Sequence, residues 1–232
     1  MIAKLKPKRK TEPVHLVEYR YTDESLLAIM HGLDITKGDR VLAICGSGDQ
    51  AFAMLEVADS VVAFDCNEDQ IEFVRYRMGL LREGNFNGFL HAGRKDIPSY
   101  RREYFTERRC ETLRGRLGRL ELELANLYAL PPNLNKGRFT KMYLSNAWYH
   151  PAGFSEYFIP DKDIPSPKVL SMVLCSLHAG GLVYVSRRGV FELDIGAEIP
   201  LALQRNLTAV ATSYEAMGTH DFWDPAVFRK TY

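Results

Sequence analysis

The 232-residue sequence has few cysteines, and none of them lie close enough together to suggest a disulfide framework or a zinc knuckle. The four cysteines, Cys45, Cys66, Cys110 and Cys175, are scattered without any C-x-x-C spacing. Such spacing is the usual sign of a zinc site or of a dense set of disulfides. No metal site is therefore predicted, and a reducing cytoplasm is the expected location.

Long apolar runs and a strong net charge are also missing. No stretch approaches the ~20 apolar residues that span a bilayer, and the N-terminus lacks the apolar segment of a secretory signal. The formal net charge of +1 is too small to predict a polyanionic partner for the whole molecule. With 46% hydrophobic and 25% charged residues, the composition is that of an ordinary globular domain. We expect a single domain over residues 18–232.

Basic residues are nevertheless concentrated in two segments. One is an N-terminal tail, residues 1–17, which begins MIAKLKPKRK. The other is a helical insertion predicted at about residues 94–130 and ended by Pro131 and Pro132. Its basic residues are Arg94, Lys95, Arg101, Arg102, Arg108, Arg109, Arg114, Arg116 and Arg119. Solvated surface and peripheral contact with an anionic membrane both explain such segments. Nucleic acid is the less favoured partner, because no recognisable RNA-binding module accompanies the charge.

Apolar runs and helical patterns alternate along the chain, and this order predicts a doubly wound, Rossmann-like α/β domain with a mostly parallel sheet. The runs over 41–45 and 60–64 are typical of strands buried on both faces. The predicted helices cover 23–31, 49–57, 67–81 and 167–177, and further strands are predicted at 139–145, 182–186, 207–214 and 226–232.

A glycine loop follows the first predicted strand, in "VLAICGSGDQAF". In a doubly wound sheet, ligands bind beyond the carboxyl ends of the strands. Gly46 and Gly48 remove side chains where main chain must approach a ligand. Asp65 ends the next predicted strand, where its carboxylate can accept hydrogen bonds from both hydroxyls of a ribose. Together these features indicate a ligand of the adenosine type.

The pattern Gly46-x-Gly48-x-x-Ala51 also satisfies a relaxed dinucleotide fingerprint, so NAD is a rival ligand. Asp49 disfavours NAD, because a carboxylate at the start of the helix would compete with the pyrophosphate for the same donors. S-adenosyl-L-methionine has no phosphate and carries a cationic sulfonium, and its amino-acid end could use the acid. We therefore favour S-adenosyl-L-methionine.

The region "RVLAICGSGDQAFAMLEVADSVVAFDCNEDQIEFVRYRMGLL" resembles the BtaA family of S-adenosylmethionine:diacylglycerol 3-amino-3-carboxypropyltransferases. The similarity rests on a G-D-Q-A loop at residues 48–51 and on a D-x-N-x-x-Q element formed by Asp65, Asn67 and Gln70. It is good over residues 18–83 and patchy over 128–187, and this chain is shorter than the family members. "SLHAGGLVYVSR", interpreted as a helix end, a Gly-Gly turn and a strand, is similar to the fifth-strand region of class I methyltransferase-fold proteins.

The resemblance implies the seven-stranded class I S-adenosylmethionine-dependent methyltransferase fold and S-adenosyl-L-methionine as cofactor. The cofactor-binding residues predicted are Gly46, Ser47, Gly48, Asp49, Gln50, Asp65, Cys66, Asn67 and Asn146. The resemblance further implies transfer of a 3-amino-3-carboxypropyl group to a lipid or small-molecule acceptor. Methyl transfer, and binding of the ligand without turnover, remain open as alternatives.

Candidate catalytic residues follow the fourth predicted strand in "YLSNAWYH". His150 has the intrinsic pKa of a general base near neutrality. Tyr149 and Asn146 could orient the acceptor or the amino-acid portion of the donor. Packing of a loop before Pro151 explains the same residues equally well. In the opening segment, Asp23 and Glu24 could contact the donor, although a helix cap accounts for Asp23.

Overall fold

The computed structural model describes residues 17–93, 96, 98–134, 137–147, 173–186, 188, 200–216 and 223–232. Within these ranges the chain forms a mostly parallel β-sheet with helices packed on it. The strands are β1 Arg40–Ile44, β2 Ser60–Asp65, β3 Leu120–Leu124, β4 Phe139–Ser145, β5 Leu177–Val185, β6 Leu201–Leu203 and β7 Ala226–Lys230. The helices are α1 Leu26–Gly32, α2 Asp49–Leu55, α3 Glu68–Arg82, α4 Phe86–His91, α5 Ser99–Tyr104, α6 Glu107–Arg116 and α7 Arg205–Glu215, with 3₁₀ turns at Leu117–Arg119 and Leu127–Ala129.

The strand order β3-β2-β1-β4-β5-β7-β6 confirms the predicted fold class. Strands β1 to β5 pair in parallel, whereas β7 runs antiparallel to both β5 and β6. The chain winds outward from β1 in one direction and from β4 in the other. The topological switch point therefore lies between β1 and β4, at whose carboxyl ends open α/β sheets bind their ligands.

Alternate residues of the central strands supply a core on each face of the sheet. On one face, Val41, Tyr143 and Tyr184 pack with α1, α2, α3 and α7. On the other face, Leu42 and Val183 pack with apolar residues of the segments around 125–134 and 173–174. Burial on both faces explains why these strands are near-continuous apolar runs in the sequence.

The helix predicted up to residue 130 was wrong over Leu120–Leu124, which forms β3. Leucine and glutamate are strong helix formers, and their propensity favoured the helical interpretation. The sequence LELEL alternates with the period of a strand, however, and Leu120 pairs with Val61 of β2. Pairing with an existing strand edge overrides the local preference. The helical part of this region is confined to α5, α6 and the turn after them.

The strand predicted over 207–214 was also wrong, because these residues belong to α7. Several of them are β-branched, which favours strands. The buried positions, Thr208, Ala211 and Glu215, are nevertheless spaced by three and four residues and form one face of a helix. The sixth strand lies just before, at Leu201–Leu203, and the strand predicted at the C-terminus is confirmed as Ala226–Lys230.

The glycine pair at residues 180 and 181 lies inside β5, which begins at Leu177, and is not a turn after a helix. Gly180 has a φ of +82°, and the pairing of β4 with β5 shifts register nearby, between Phe139 and Lys141. A side chain on Gly181 would stand 2.9 Å from the carbonyl oxygen of Thr140. The glycines therefore allow an irregular strand to approach its neighbour. Residues 167–172 of the predicted helix lie outside the described residues.

Several arginines of the basic segment form hydrogen bonds or ion pairs with other residues of the chain. Arg116 donates to the carbonyls of Leu55 and Ala58, where α2 ends, with 2.6 Å to Leu55. Further arginines of this segment form ion pairs: Arg101 with Asp49, Arg109 with Glu56, Arg114 with Glu111 and Arg119 with Asp59. These contacts account for much of the local excess of positive charge. No helix among the described residues is both long and apolar enough to cross a membrane.

Candidate functional site

The glycine loop joins β1 to α2 and turns sharply at two positions of positive φ. Gly48 has a φ of +83°, and a Cβ there would stand 2.8 Å from Val74 Cγ2 in the core. Gly46 has a φ of +46°, and a Cβ there would meet no atom within 4 Å. Gly48 is thus required by packing, whereas Gly46 leaves the main chain open on the side where a ligand can approach.

Asp65, at the end of β2, ties this loop to the next strand. Its Oδ2 accepts a hydrogen bond from the Gly46 amide and its Oδ1 accepts one from the Asn67 amide, both at 3.0 Å. Burial raises the pKa of Asp65, while the amides of Asn67 and Gly46 oppose the rise. A carboxylate offers about four acceptor positions, so capacity remains for two neighbouring hydroxyls. The sequence-predicted residues Gly46, Asp65 and Asn67 are brought together here.

The other residues of the D-x-N-x-x-Q element hold the surrounding backbone. Asn67 caps α3, its Oδ1 accepting from the Asp69 amide at 2.9 Å. Gln70 binds both main-chain groups of Tyr19: its Nε2 donates to the carbonyl at 2.5 Å, and its Oε1 accepts from the amide at 3.1 Å. Partial burial of its sulfur raises the pKa of the Cys66 thiol, which favours its neutral form. The element therefore fixes the loop, the helix start and the opening segment.

Replacing Gln70 with leucine removes the two hydrogen bonds that hold Tyr19. We expect amide hydrogen exchange over residues 17–24 to accelerate by about tenfold or more, because a local anchor is lost while the core is unchanged. Hydrogen exchange with mass spectrometry measures this effect. The same change at Gln204, which bonds within the β6 region, should leave residues 17–24 as in the wild type. Unchanged exchange in the Gln70 variant would show that other contacts hold the segment.

Asp49 is 0% exposed and forms a buried ion cluster with Arg77 and Arg101, which we call the Asp49 cluster. Its Oδ1 lies 2.7 Å from Arg77 Nη2 and 3.2 Å from Arg101 Nε. The Arg77 guanidinium stacks over the ring of Phe89, 4.3 Å from its centroid. Burial alone would raise the pKa of Asp49, but Arg101 and Arg77 lower it overall. The carboxylate is thus held ionised by two cations.

This geometry corrects the role predicted for Asp49. Its charge is balanced by two buried arginines, so it has no unpaired charge to offer the amino-acid end of a ligand. The argument that Asp49 would repel a pyrophosphate is also wrong, because Arg77 and Arg101 compensate its charge. Ser47 belongs to the same enclosed region: its carbonyl accepts from Arg77 Nη1 at 2.6 Å, and its hydroxyl accepts from the Asp49 amide at 3.3 Å.

A second buried carboxylate, Glu24, lies at the carboxyl ends of β4 and β5. It accepts hydrogen bonds from the hydroxyls of Tyr143 at 2.7 Å, of Ser186 at 2.5 Å and of Ser145. Burial raises the pKa of Glu24, and the hydroxyls of Ser145, Ser186 and Tyr143 oppose the rise. We call these four residues the Glu24 cluster. Gln50 joins it, donating to the Tyr143 hydroxyl at 3.2 Å.

From the sequence, Glu24 is predicted together with Asp23 to contact the donor, but its three hydroxyl partners are not predicted. A usable signal existed, since Ser145 ends one parallel strand and Ser186 follows its neighbour, which places both at the same edge of the sheet. Ser145 also has a φ of +54°, uncommon for a residue with a side chain. The cap of α1 is Ser25, whose hydroxyl accepts from the Ala28 amide, and not Asp23.

Of the predicted catalytic residues, Asn146 lies directly after β4, where the hydroxyl of Ser145 stands 3.3 Å from its Oδ1. This places it at the carboxyl edge of the sheet, beside the Glu24 cluster. Tyr149 and His150 lie outside the described residues, so their predicted roles stay predictions.

No protein-family model and no curated protein matches this sequence. Solved structures of similar fold include the [4+2]-cyclase SpnF, with a TM-score of 0.52 and 10% identity over 94% of this chain and 88% of that one. TrmN from Thermus thermophilus gives a TM-score of 0.52 and 16% identity over 88% of this chain, which spans 48% of the length of TrmN. A SAM-dependent O-methyltransferase from Thermotoga maritima has a TM-score of 0.49 and 12% identity, over 90% of this chain and 64% of that one.

At these identities the likeness concerns the fold and not the reaction. A cyclase shares the architecture, which illustrates that one fold supports different chemistries. This chain has seven strands with β7 antiparallel, and its glycine loop follows β1. The chain has the class I S-adenosylmethionine-dependent methyltransferase fold.

Proposed function

We propose that this chain is an S-adenosyl-L-methionine-dependent transferase that moves a 3-amino-3-carboxypropyl group to a lipid or small-molecule acceptor. The observation that carries the proposal is the junction between Asp65 and the glycine loop. A half-buried acid at the end of β2 holds the Gly46 amide at 3.0 Å, and both groups lie at the edge of the sheet where this fold binds nucleosides.

The residues at this junction fit an adenosyl group. Asp65 retains acceptor positions for the two hydroxyls of a ribose, and Gly46 leaves room for a nucleoside against the main chain. Along the opening segment lies a separate cavity of about 310 Å³, lined by Glu18, Tyr19, Arg20, Tyr21 and Asp23. Tyr19 in this segment is 45% exposed and interacts electrostatically with Asp65. An exposed aromatic ring beside the sugar site offers a purine a surface for stacking.

The topology favours this ligand over a dinucleotide. Dinucleotide-binding sheets have the order 3-2-1-4-5-6. Here β7 is inserted antiparallel between β5 and β6. Because Arg77 and Arg101 neutralise Asp49, this difference in strand order is the reason to prefer S-adenosyl-L-methionine to NAD.

The ligand supplies an activated sulfonium, from which either the methyl or the aminocarboxypropyl carbon can be transferred. The protein decides between them by positioning, because the nucleophile must stand in line with the carbon that it attacks. The resemblance of Asp65, Asn67 and Gln70 to the D-x-N-x-x-Q element supports aminocarboxypropyl transfer. The contacts of these residues order the backbone around Asp65.

Product analysis tests the proposal directly. The protein is incubated with labelled S-adenosyl-L-methionine and either a lipid extract or a lysate, and the products are identified by mass spectrometry. Methylthioadenosine together with an enlarged acceptor supports the proposal. S-adenosylhomocysteine would indicate methyl transfer instead, and tight binding without either product would indicate a binding protein. Absence of binding would remove the proposed function altogether.

The two loop glycines should respond differently to alanine. Gly48→Ala places a Cβ 2.8 Å from Val74 at positive φ, so we expect a loss of unfolding free energy of about 2–4 kcal/mol. The Cβ introduced by Gly46→Ala would meet no atom within 4 Å, so we expect a loss of unfolding free energy of about 1 kcal/mol from the positive φ alone. We also expect a clear loss of S-adenosyl-L-methionine affinity. Urea denaturation and calorimetric titration measure the two effects.

A second substitution separates packing from conformation at Gly48. In a protein that already carries Val74→Ala, Gly48→Ala should lower the free energy of unfolding by less than in the wild type, because the steric clash is gone. The cost of positive φ should remain. If Gly46→Ala binds the ligand as tightly as the wild type, the nucleoside does not lie against this part of the loop.

A further inference from the structure

Within the described part of the chain, no cation compensates the buried acid of the Glu24 cluster. Glu24 is 2% exposed, and its carboxylate accepts from hydroxyl groups only. No ion pair in the described part of the chain involves it. Asp49, buried to the same degree, has two arginines. A buried carboxylate without a cation is costly and takes up a proton unless a positive ligand arrives.

The titratable groups around Glu24 make this imbalance larger. Asp23 precedes it in the chain, and Glu215 faces it from α7. Tyr143 of β4 and Tyr184 of β5 are buried phenols that also interact electrostatically with Glu24. Among the residues that the structure describes, the neighbouring elements therefore supply acids and neutral hydroxyls but no counter-charge.

Two buried polar atoms beside the cluster have no hydrogen-bond partner among the described residues, the hydroxyl of Tyr184 and Oε1 of Gln50. The Tyr184 ring lies 5.8 Å from that of Tyr143, and Gln50 donates to the Tyr143 hydroxyl. Buried polar groups are normally paired. Oxygen atoms without partners next to an unpaired carboxylate fit a ligand that brings both positive charge and N–H donors.

The sheet places this cluster across the switch point from the sugar site. Asp65 ends β2 and Ser145 ends β4, with β1 between them. Two strand spacings correspond to about 10 Å. A ligand whose ribose is held at Asp65 and whose chain crosses the end of β1 presents its far end to Glu24.

We propose that Glu24 is the counter-ion for the α-ammonium group of the amino-acid portion of S-adenosyl-L-methionine, and that a proton occupies this place in the free protein. The inference rests on the proposed function. Binding then exchanges one proton, released from Glu24 to solvent, for one ammonium cation, so that the charge of the cluster is conserved. Tyr143, Ser145 and Ser186 orient the carboxylate in both states.

The test compares ligands that share the nucleoside and differ in the amino-acid portion. S-adenosylhomocysteine carries the ammonium group, methylthioadenosine lacks it, and S-adenosyl-L-methionine adds the sulfonium. For the wild type, affinity for S-adenosylhomocysteine should rise with pH, by up to about tenfold per pH unit where Glu24 in the free protein loses its proton. Affinity for methylthioadenosine should change less with pH, because this ligand lacks the ammonium group and responds only to the raised pKa of Asp65. Calorimetry in two buffers of different ionisation enthalpy counts the proton released.

In Glu24→Gln, which keeps a hydrogen-bonding side chain of the same size, both amino-acid ligands should bind at least about tenfold more weakly. The affinity for methylthioadenosine should stay within about twofold, and proton release should disappear. Glu111→Gln makes the same change in an exposed ion pair and should behave as the wild type. If Glu24→Gln does not fold, the pH dependence of the wild type decides alone.

Other outcomes overturn the inference or its basis separately. Wild-type affinity for S-adenosylhomocysteine in a folded Glu24→Gln protein refutes the role of Glu24, as does pH-independent binding by the wild type. Weakened binding of S-adenosyl-L-methionine alone would place the carboxylate at the sulfonium and also refute it. If the wild type binds none of the three ligands, the proposed function itself fails.

Discussion

Asp49→Ala should lower the free energy of unfolding by about 3–5 kcal/mol, which is the cost of leaving buried charges without their partner. The substitution leaves the guanidinium groups of Arg77 and Arg101, both of which are buried, without their carboxylate partner. It also removes the acceptor of the Thr22 amide, 3.2 Å from Asp49 Oδ2, and so loosens the opening segment. Urea denaturation followed by circular dichroism measures the change.

Asp59→Ala is the matched control, because Asp59 pairs with Arg119 at a site where both side chains are 54% exposed. Exposed pairs of this kind contribute about 0–1 kcal/mol. A loss at Asp49 no larger than the loss at Asp59 would contradict the account of the Asp49 cluster.

The stabilisation by Asp49 should also depend on pH. Burial raises the pKa of this carboxyl in the folded protein, but Arg101 and Arg77 lower it more, so the net pKa is lowered. The contribution is therefore complete above the unfolded value of about 4 and is lost as the pH falls through the folded value. The difference between wild type and Asp49→Ala should stay constant from about pH 5 to pH 7 and should narrow under more acidic conditions.

Asp65→Ala should weaken binding of S-adenosyl-L-methionine by about 100-fold, or ~2.7 kcal/mol. The reason is that one carboxylate is expected to accept both ribose hydroxyls while it holds the Gly46 amide at 3.0 Å. Methylthioadenosine, which has the same ribose, should lose affinity to the same extent. Calorimetric titration of the folded fraction measures both.

This equal loss distinguishes Asp65 from Glu24, whose replacement should spare methylthioadenosine. Asp59→Ala, at the opposite end of β2, should leave both affinities unchanged. If Asp65→Ala binds either ligand with wild-type affinity, the sugar is held elsewhere and the carboxylate serves only the loop.

The first half of the fold could be predicted from the sequence, because each element there agrees with its local pattern. The strands over 40–44 and 60–65 are apolar runs, and α3 begins after Asn67, a residue type that commonly caps helices. The errors came where propensity and tertiary pairing disagree. LELEL became a strand because the edge of β2 was free to pair with it, and residues 207–214 became a helix that packs on α1.

The candidate site divides in a similar way. The glycine loop and Asp65 follow from chain order, because parallel strands bring their carboxyl ends to one edge of the sheet. The role of Asp49 did not follow, since Arg101 is 52 residues away along the chain and is a partner only through packing. Ser186 is 162 residues from Glu24. No local pattern connects residues at such separations.

The sequence by itself determined the doubly wound architecture, the glycine loop and the acid at the end of the second strand, because these depend on short-range periodicity and on strand order. Only the tertiary structure decided which carboxylates have counter-charges. Asp49 is neutralised by two arginines, whereas Glu24 is buried among hydroxyls. The difference is a matter of desolvation and of distances between side chains, and both are set by packing.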